Sequence, residues 1–208
     1  TVAGDWTNNG DFTHNRTVTF DGGDQTISSS DFYNVIISGT NTKTLSGSIT
    51  LNGSMTINST LDAGLTNNNI LVGADWTNNG TFVPRQGTVE FRGAGSWITT
   101  GGSGYPQVGK SFYNFTVNKD VGAYVNLTGV NSDLVIENDY SQTRGSITTN
   151  AYDIWIGGNF ANTSTTAFNH NNNNSVITFN ASSGSKTINP GATSVYRGIV
   201  VSPSGGVT

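Results

Sequence analysis

Apolar and polar residues alternate along this chain in short runs. The pattern is clearest in the stretch 48–64, which reads SITLNGSMTINSTLDAG. Its apolar positions are Ile49, Leu51, Met55 and Ile57, and the polar positions between them include Thr50 and Thr56. A period of two is typical of half-buried β-strands, so the four apolar side chains are predicted to be buried and the two threonines to face outward. The runs restart about every six residues, which predicts strands of three or four residues.

No helical stripe of apolar residues persists along the chain, so the fold is predicted to be all-β. Two β architectures fit the pattern. The dipeptides Asn9-Gly10, Asn52-Gly53 and Asn79-Gly80 are hairpin signals, and they favour an antiparallel sandwich or meander. Strands shorter than the usual five or six residues favour a parallel β-solenoid, in which Asn and Gly form left-handed corners between stacked coils. The parallel β-solenoid is the preferred prediction and the antiparallel arrangement is the alternative.

The chain also repeats itself with a long period. Residues 4–12 read GDWTNNGDF, residues 74–82 read ADWTNNGTF, and a reduced third copy begins at Gly158. Further matches follow in the same order: TVTF at 17–20, TVEF at 88–91 and VITF at 176–179, then FYNVII at 32–37, FYNFTV at 112–117 and, more loosely, VYRGIV at 195–200. Such self-similarity is the signature of a repeat architecture.

The matches divide the chain into two and a half imperfect repeats of about 70–84 residues. The copies are placed at about 1–69, 70–153 and 154–208, with the first and last incomplete, and together they predict a single elongated body. The aromatic residues of the repeated phrase are Trp6, Phe12, Trp76 and Phe82. We expect the two tryptophans, each with its phenylalanine, to fill the same interior slot in successive copies.

These motifs resemble the β-strand repeat segments of large secreted surface proteins of Bacteroidota-type bacteria. The matching segments are Gly4–Phe12, Gly73–Phe82 (one residue longer before its Trp), Thr17–Phe20, Gln25–Ile27, Phe32–Ile37 and Leu51–Ile57. The resemblance covers most of the chain, and it implies an exported, adhesin-like or fibre-forming protein without catalytic residues. The third copy departs from the pattern, because Phe160 replaces the Trp and an Asn-rich run, 169–174, interrupts it.

Composition narrows the possible functions. Charged residues make up 11% of the chain, far below the roughly 25% of ordinary soluble domains. The net charge of −4 comes without a basic stripe, so nucleic acid is not an expected partner. There is no cysteine, which excludes disulfides and thiolate metal sites. No apolar run is long enough for a membrane-spanning helix. The chain starts inside a repeat and without Met, so we expect it to be a processed or partial piece of a longer protein.

One segment satisfies a nucleotide-binding pattern. Gly104–Ser111 reads GYPQVGKS, which fits the phosphate-binding G-x-x-x-x-G-K-[ST] motif. That motif needs a helix directly after it to hold the phosphates, whereas Phe112 here begins a predicted strand. The segment is therefore interpreted as an inserted surface loop, and replacing Lys110 by Ala is expected to change neither stability nor nucleotide affinity. No cofactor is expected.

Other groups with possible chemistry are sparse. Asp21 and Asp24 flank a Gly-Gly pair, but two acids are too few for Ca²⁺, so a polar turn is predicted. The two histidines, His14 and His170, show no metal or triad spacing, and we interpret both as solvent-facing loop residues. Convergent carboxylates from stacked coils, of the kind that a polysaccharide-degrading enzyme needs, stay open as a third functional hypothesis.

The preferred hypothesis is a structural, adhesin-like module that forms or extends an extracellular filament or stalk at the cell surface. Its partners would be copies of itself or further repeats of the same polypeptide, because neither end resembles a polar capping coil. The residues assigned to end-to-end assembly are Val2, Trp6, Ile199 and Val201. The second hypothesis is a carbohydrate-binding module, in which the exposed rings of Tyr105 and Trp97 would stack on surface glycans.

Overall fold

A computed structural model of the chain describes residues 1–170, 175–191, 194–196 and 198–202. Throughout these ranges the secondary structure is β, and the chain winds as a parallel β-solenoid of about eight turns. All pairings between the named strands are parallel. The prediction of a solenoid is confirmed, and the antiparallel alternative is wrong. Part of the Asn-rich run, 171–174, together with Arg197 and the last six residues, lies outside the described residues.

The strands of successive turns form three faces, and most turns contribute one strand to each face. The first face consists of β1 (Thr17–Phe20), β4 (Asn34–Ile37), β7 (Met55–Ile57), β10 (Trp76–Asn78), β13 (Ser96–Thr99), β15 (Tyr124–Leu127), β18 (Ser146–Thr148), β21 (Phe168–His170) and β24 (Val195–Tyr196). The third face consists of β3 (Ser30–Phe32), β6 (Ile49–Leu51), β9 (Ile70–Val72), β12 (Thr88–Gly93), β14 (Asn114–Lys119), β17 (Tyr140–Arg144), β20 (Phe160–Asn162) and β23 (Ile188–Asn189).

The second face is divided in two. Its first part consists of β2 (Gln25–Ile27), β5 (Thr42–Leu45), β8 (Thr60–Asp62) and β11 (Thr81–Val83), and its second part of β16 (Leu134–Ile136), β19 (Ile154–Ile156), β22 (Ile177–Phe179) and β25 (Ile199–Val201). Residues 109–112 join the parts, because the amide of Phe82 donates to the carbonyl of Gly109 and Phe112 bridges to Ile136. The GYPQVGKS segment therefore occupies the place of the missing strand.

Inward-facing side chains form one hydrophobic cluster along the solenoid. In the stretch that predicted the strand pattern, Ile49, Leu51, Met55 and Ile57 are all at most 2% exposed, while Thr50 and Thr56 are half-buried on the outside. That prediction is confirmed. Three-residue strands suffice because each pairs with a strand above and one below, so the stack supplies the burial that a short strand lacks by itself.

The Asn-Gly dipeptides have a physical role other than the one predicted. Neither Gly53 nor Gly80 has a positive φ. A Cβ on Gly53 would overlap the amide oxygen of Asn34, and a Cβ on Gly80 would overlap the carbonyl oxygen of Ser59. Glycine is needed at these corners because the stacked coil approaches too closely for a side chain.

Small polar residues just before the strands tie each coil to the next. The Asn34 Oδ1 accepts a hydrogen bond from the amide of Ser54 (2.8 Å), the Ser54 Oγ from Asp75 (3.2 Å), and the Asp75 Oδ1 from Trp97 (2.9 Å). Asp133, Asp153 and Val176 continue the same arrangement on the second face. These bonds pair corner amides that the strand ladders leave free.

The repeated aromatic residues form three clusters, of which the first two have closely similar geometry. The first consists of Trp6, Phe12, Phe20 and Phe32; the second of Trp76, Phe82, Phe91 and Phe112; the third of Phe160, Phe168, Phe179 and Tyr196. The ring centroids of Trp6 and Phe32 lie 5.7 Å apart at 52°, and those of Trp76 and Phe112 lie 5.4 Å apart at 51°. The long repeat thus specifies an aromatic cluster. In the third copy Tyr196 takes the place of Phe112. The alignment of VYR with FYN matches Phe112 with Val195, so the sequence alignment is displaced by one residue here.

Successive clusters lie on different faces of the solenoid. Trp6 bridges to Ile27 on the second face, Trp76 lies in β10 on the first, and Phe160 lies in β20 on the third. The TVTF motif of β1 returns in β12, which lies eleven strands later. Because a full turn has three strands, eleven strands make three turns and two-thirds of a turn. Each copy is therefore rotated by one third of a turn relative to the previous copy.

Candidate functional site

The inserted loop, residues 101–111, is the largest irregularity in the stack and interrupts the second face. Hydrogen bonds anchor it at several points: Gly104 N to Asp133 Oδ2 (2.8 Å), Asp133 N to Gly102 O (3.1 Å), and Thr100 Oγ1 to Asp133 O (2.8 Å). Val135, the middle residue of β16, is only 2% exposed although it is not part of the inward cluster, and the loop is anchored on both sides of it, at Asp133 and Glu137. The loop is thus fastened to the face beneath it.

Lys110, the lysine of the nucleotide-binding pattern, has a structural role in this loop. Its ammonium donates to the carbonyl oxygens of Asn78 (2.9 Å) and Gly80 (2.6 Å) in the preceding coil, and burial lowers its pKa. The strand β14 follows instead of a helix, so the geometry of a phosphate-binding loop is absent from this segment. Because these contacts hold the loop to the stack, Lys110→Ala is expected to lower stability, in contrast to the expectation from sequence that it leaves stability unchanged.

Tyr105 and Trp155 form an aromatic pair on the second face. Tyr105 extends from the inserted loop, and its ring stacks on the indole of Trp155 in β19 with centroids 6.2 Å apart and planes at 22°. Tyr105 is 54% exposed. Trp97, the other predicted stacking residue, is also 54% exposed, but it lies on the first face, where it pairs with Asn126. The structure therefore does not bring the two predicted residues together. Trp155 escaped the sequence analysis, although its place in the alternating run Ile154–Ile156 marks it as an outward-facing ring.

A groove lies on the other side of the inserted loop, next to β11, with a volume of about 380 Å³. Its walls include Pro84, Pro106 and Val108, and the carboxylate of Glu137 stands at one end. Glu137 Oε1 accepts a hydrogen bond from Ser111 Oγ (2.5 Å). The other glutamate, Glu90, lies on the third face in β12, so the structure does not pair the two as an acid and a base.

Three other acids, Glu90, Asp24 and Asp62, accept hydrogen bonds from neighbouring groups of the fold. Burial would raise the pKa of Glu90, but hydrogen bonds from Arg92 and Asn118, with the charge of Arg92, hold that pKa below its ordinary value. Asp24 Oδ1 accepts from the amide of Thr42 (3.0 Å), which fits the predicted polar turn. Two guanidinium nitrogens of Arg85, Nε and Nη2, donate to the two carboxylate oxygens of Asp62. These hydrogen bonds lower the pKa of Asp62.

One histidine prediction was wrong. His170 is fully buried in β21 and its Nε2 lies 3.0 Å from Ser175 Oγ; burial lowers its pKa. The alternation of Phe168, Asn169 and His170 places His170 inside, so the period-two rule could have found it. His14 is half-buried near the first aromatic cluster, with its ring 4.4 Å from that of Phe12.

Two further lysines are buried at corners, and sequence reasoning missed them. Lys43 donates to the carbonyl oxygens of Gly22 (2.8 Å) and Thr40 (2.6 Å). Lys119 donates to the carbonyl oxygens of Arg92 and Gly73 and to Ser96 Oγ. Burial lowers both pKa values, that of Lys119 to about 8. The Thr-Lys-Thr alternation of β5 was the available signal, since it places Lys43 inward.

The residues predicted for end-to-end assembly lie at opposite ends of the stack. Val2 and Trp6 bridge to Phe20 and Ile27 and are partly buried against the core. Ile199 and Val201 form part of β25, the last strand of the second face, and are 51% and 62% exposed. Among the described residues, Ile199 and Val201 are therefore more exposed than Val2 and Trp6.

Comparison of the chain with protein-family models, with curated proteins and with solved structures found no match. Within the described ranges, no three or more His, Asp or Glu residues are grouped so as to hold a metal ion. The same part of the chain contains no helix that is long and apolar enough to cross a membrane.

Proposed function

We propose that this chain is a structural module, a segment of β-solenoid that extends end to end into an extracellular, adhesin-like filament or stalk. The proposal depends mainly on the open C-terminal end of the core. Ile199 stacks on Ile177, which is fully buried, and Val201 stacks on Phe179, which is 7% exposed. In these two columns the last described member is exposed and the one before it is buried, so the fold supports one more coil at this place.

The open end has the properties of a surface that pairs with another coil. Within the described residues no strand pairs with the outer side of β25, and an open strand edge readily pairs with another strand. Ile188 and Ile199 add exposed apolar surface. The covering coil comes from further repeats of the same polypeptide or from another copy of the chain. A head-to-tail contact of this kind propagates into a filament unless it closes into a ring.

The way in which polar groups are used also supports a structural role. The buried lysines and most of the carboxylates described above bind corner carbonyls and amides of neighbouring coils. Hydrogen bonds of this kind stiffen a stack. The location at a bacterial surface rests on the resemblance of the repeats to secreted surface proteins.

The first test is sedimentation velocity and negative-stain imaging over a concentration series. Particles are expected to lengthen with concentration, and the double variant Ile199→Lys with Val201→Lys should abolish this growth, because it places two charges in the contact. Leu65→Lys is the matched control, since Leu65 is 84% exposed at a corner within the stack. Growth that persists in the double variant would contradict assembly through this end.

A chimera tests extension by the same polypeptide. Residues 118–153 are attached directly after Val201. Val201 is the structural equivalent of Val117, because it pairs with Phe179 as Val117 pairs with Phe91. This addition should cover Ile199 and Val201 and raise the unfolding midpoint. A control attaches the same residues starting one position later, which turns every side chain to the opposite side of its strand. Equal stability of the two chimeras, with no gain over the parent, would contradict a module built for in-phase extension.

A further inference from the structure

The inserted loop differs from the corresponding corners of the other two copies. Four residues lie between Ile27 and Phe32 in the first copy, whereas the equivalent segment of the second copy contains all of residues 101–111. The aromatic cluster that the segment leads into, ending at Phe112, is unchanged. The scaffold is thus constant while the corner varies, and in repeat proteins such insertions commonly form the binding face.

This loop holds Tyr105 in a defined position. Gly104, the preceding residue, donates its amide to Asp133, and Gln107 Nε2 reaches the carbonyl of the same residue (3.4 Å). The Tyr105 ring lies against Trp155, the outward residue that stacks directly on the covered Val135. One face of the phenol ring is thereby supported by the indole. Because Tyr105 stays 54% exposed, its other face is open to a ligand, and little side-chain freedom is lost on binding.

The surroundings of the pair select a class of ligand. The charged residues in the hydrogen-bonded framework here are acids. Both carboxylate oxygens of Asp133 accept backbone amides, from Gly104 and Asp153, and one carboxylate oxygen of Asp153 accepts the amide of Val176. Lys110, the lysine of this loop, has its ammonium directed at carbonyls of the preceding coil. An anionic polymer would therefore meet repulsion. A flat, neutral ligand with hydroxyl groups fits better, because carboxylates and loop backbone groups are partners for hydroxyls.

We propose that Tyr105 and Trp155 form a binding platform for a neutral sugar ring. The open face of Tyr105 stacks on the apolar face of a hexopyranose, as aromatic residues with one apolar and one polar side do at wet interfaces. The hydroxyl groups of the sugar bond to Asp133, Asp153 and the backbone of the Gly-Ser-Gly segment 102–104. This site is independent of the uncovered C-terminal end, so its failure would leave the filament proposal intact.

The test uses the whole chain and a panel of soluble neutral hexose oligosaccharides, with cellohexaose, laminarihexaose and mannohexaose as the probes. Binding is measured by isothermal titration calorimetry and by the change in tryptophan emission in a Trp97→Phe background, in which Trp6 and Trp76 contribute a constant signal beside Trp155. We expect millimolar or tighter binding of at least one probe, a shift of the Trp155 emission, and a loss of at least tenfold in affinity for Tyr105→Ala. Tyr105→Phe should retain most of the affinity, because the stacked ring remains.

Trp97→Ala is the matched control, since Trp97 is equally exposed but lies on another face; it should bind as the parent does. Circular dichroism and thermal unfolding of Tyr105→Ala separate loss of the platform from loss of the fold, and Trp155→Thr gives a second variant that copies Thr178 of the next coil. The proposal is overturned if no probe binds at millimolar concentration, if Tyr105→Ala binds as tightly as the parent, or if polygalacturonate or single-stranded DNA binds better than every neutral sugar.

Discussion

The phrases at 4–12 and 74–82 are nearly identical, yet they lie in different surroundings. Trp76 is fully buried between Met55 and Ile98 in the middle of the stack, whereas Trp6 lies in the first coil and bridges to Ile27 on one side. Trp6 and Trp76 contact their clusters at almost the same angles. The repeat therefore determines the shape of the cluster, while position in the stack determines how much of it is removed from water.

The hydrogen bonding of the two indoles differs as well. Trp6 Nε1 donates to Ser30 Oγ at 2.8 Å, while no acceptor in the described part of the chain lies within reach of Trp76 Nε1. Ser30 stands two residues before Phe32, and the residue two before Phe112 is Lys110. A lysine ammonium has only donors, so it offers nothing to an indole N–H. At the position of Ser30 the second copy has Lys110. It therefore lacks the acceptor for the indole, and it gains the contacts that hold the inserted loop.

The largest expected effect is a difference in the free energy of unfolding between a substitution in the middle of the stack and one at its end. Trp76→Ala should lower the free energy of unfolding by about 3–5 kcal/mol, because it empties a closed site. Trp6→Ala should cost roughly half as much, since the site is partly open and its burial is incomplete. Urea unfolding followed by far-UV circular dichroism measures both. Equal costs for the two substitutions would show that the coil that contains Trp6 is as well covered as the coil that contains Trp76.

Lys119 and Lys186 extend the comparison to charge. The folded-state pKa of Lys119 is about 8, because burial outweighs the attraction of Asp75 and Asp120; in the unfolded chain it is about 10.4. Above pH 8 the unfolded state therefore holds more protons than the folded state, and stability rises with pH. The contribution of Lys119 is about 2 kcal/mol between pH 8 and 9.5.

Urea midpoints across this pH range are the measurement for Lys119. Lys119→Met should remove most of this rise, because the titrating group is gone. Lys186→Met is the control, since Lys186 is exposed near the C-terminal end and the variant should keep the slope of the parent. The range stops below pH 10 because burial raises the pKa of Tyr140, and ionisation of tyrosines in the unfolded state then lowers stability. A slope unchanged in Lys119→Met would refute the assignment.

The smallest effect concerns the hydrogen bond of the first cluster. Ser30→Ala removes the acceptor of Trp6 Nε1 and should destabilise the fold by about 1 kcal/mol. In the Trp6→Phe background the same Ser30→Ala change should cost less, because no indole N–H remains to be left unpaired. This double-mutant cycle isolates the bond. Additive costs would mean that Ser30 contributes through packing alone.

The period-two alternation is local information, and it was enough to predict much of the fold. It correctly predicted the burial of Ile49 to Ile57, the short strands and the solenoid, because each residue needs only its neighbours in sequence to define its side of a strand. It also contained the buried positions of Lys43 and His170. Residue type pointed the other way at His170, and the alternation, as the stronger constraint, was correct.

The candidate site could be predicted only in part. The unusual composition around Tyr105 marked the loop, since glycines and a proline surround an aromatic residue between two strands. Its partner Trp155 lies 50 residues further along the chain, and two stacked coils bring the two rings together. Trp97, in contrast, shares the exposure of Tyr105 but projects from a different face. No local pattern states which face an outward side chain occupies, because that depends on every preceding turn.

The sequence by itself determined the units of this protein: short strands with one apolar side, corners with glycine or a small polar residue, and an aromatic cluster that occurs three times. Only the tertiary structure decided how those units are arranged around the axis. With eleven strand positions per repeat and three faces per turn, each cluster is rotated by a third of a turn, and the place of one strand is taken by the loop that carries Tyr105. Which residues from different coils meet is thus set by the number of strands between them, because parallel stacking brings together residues that are one whole turn apart.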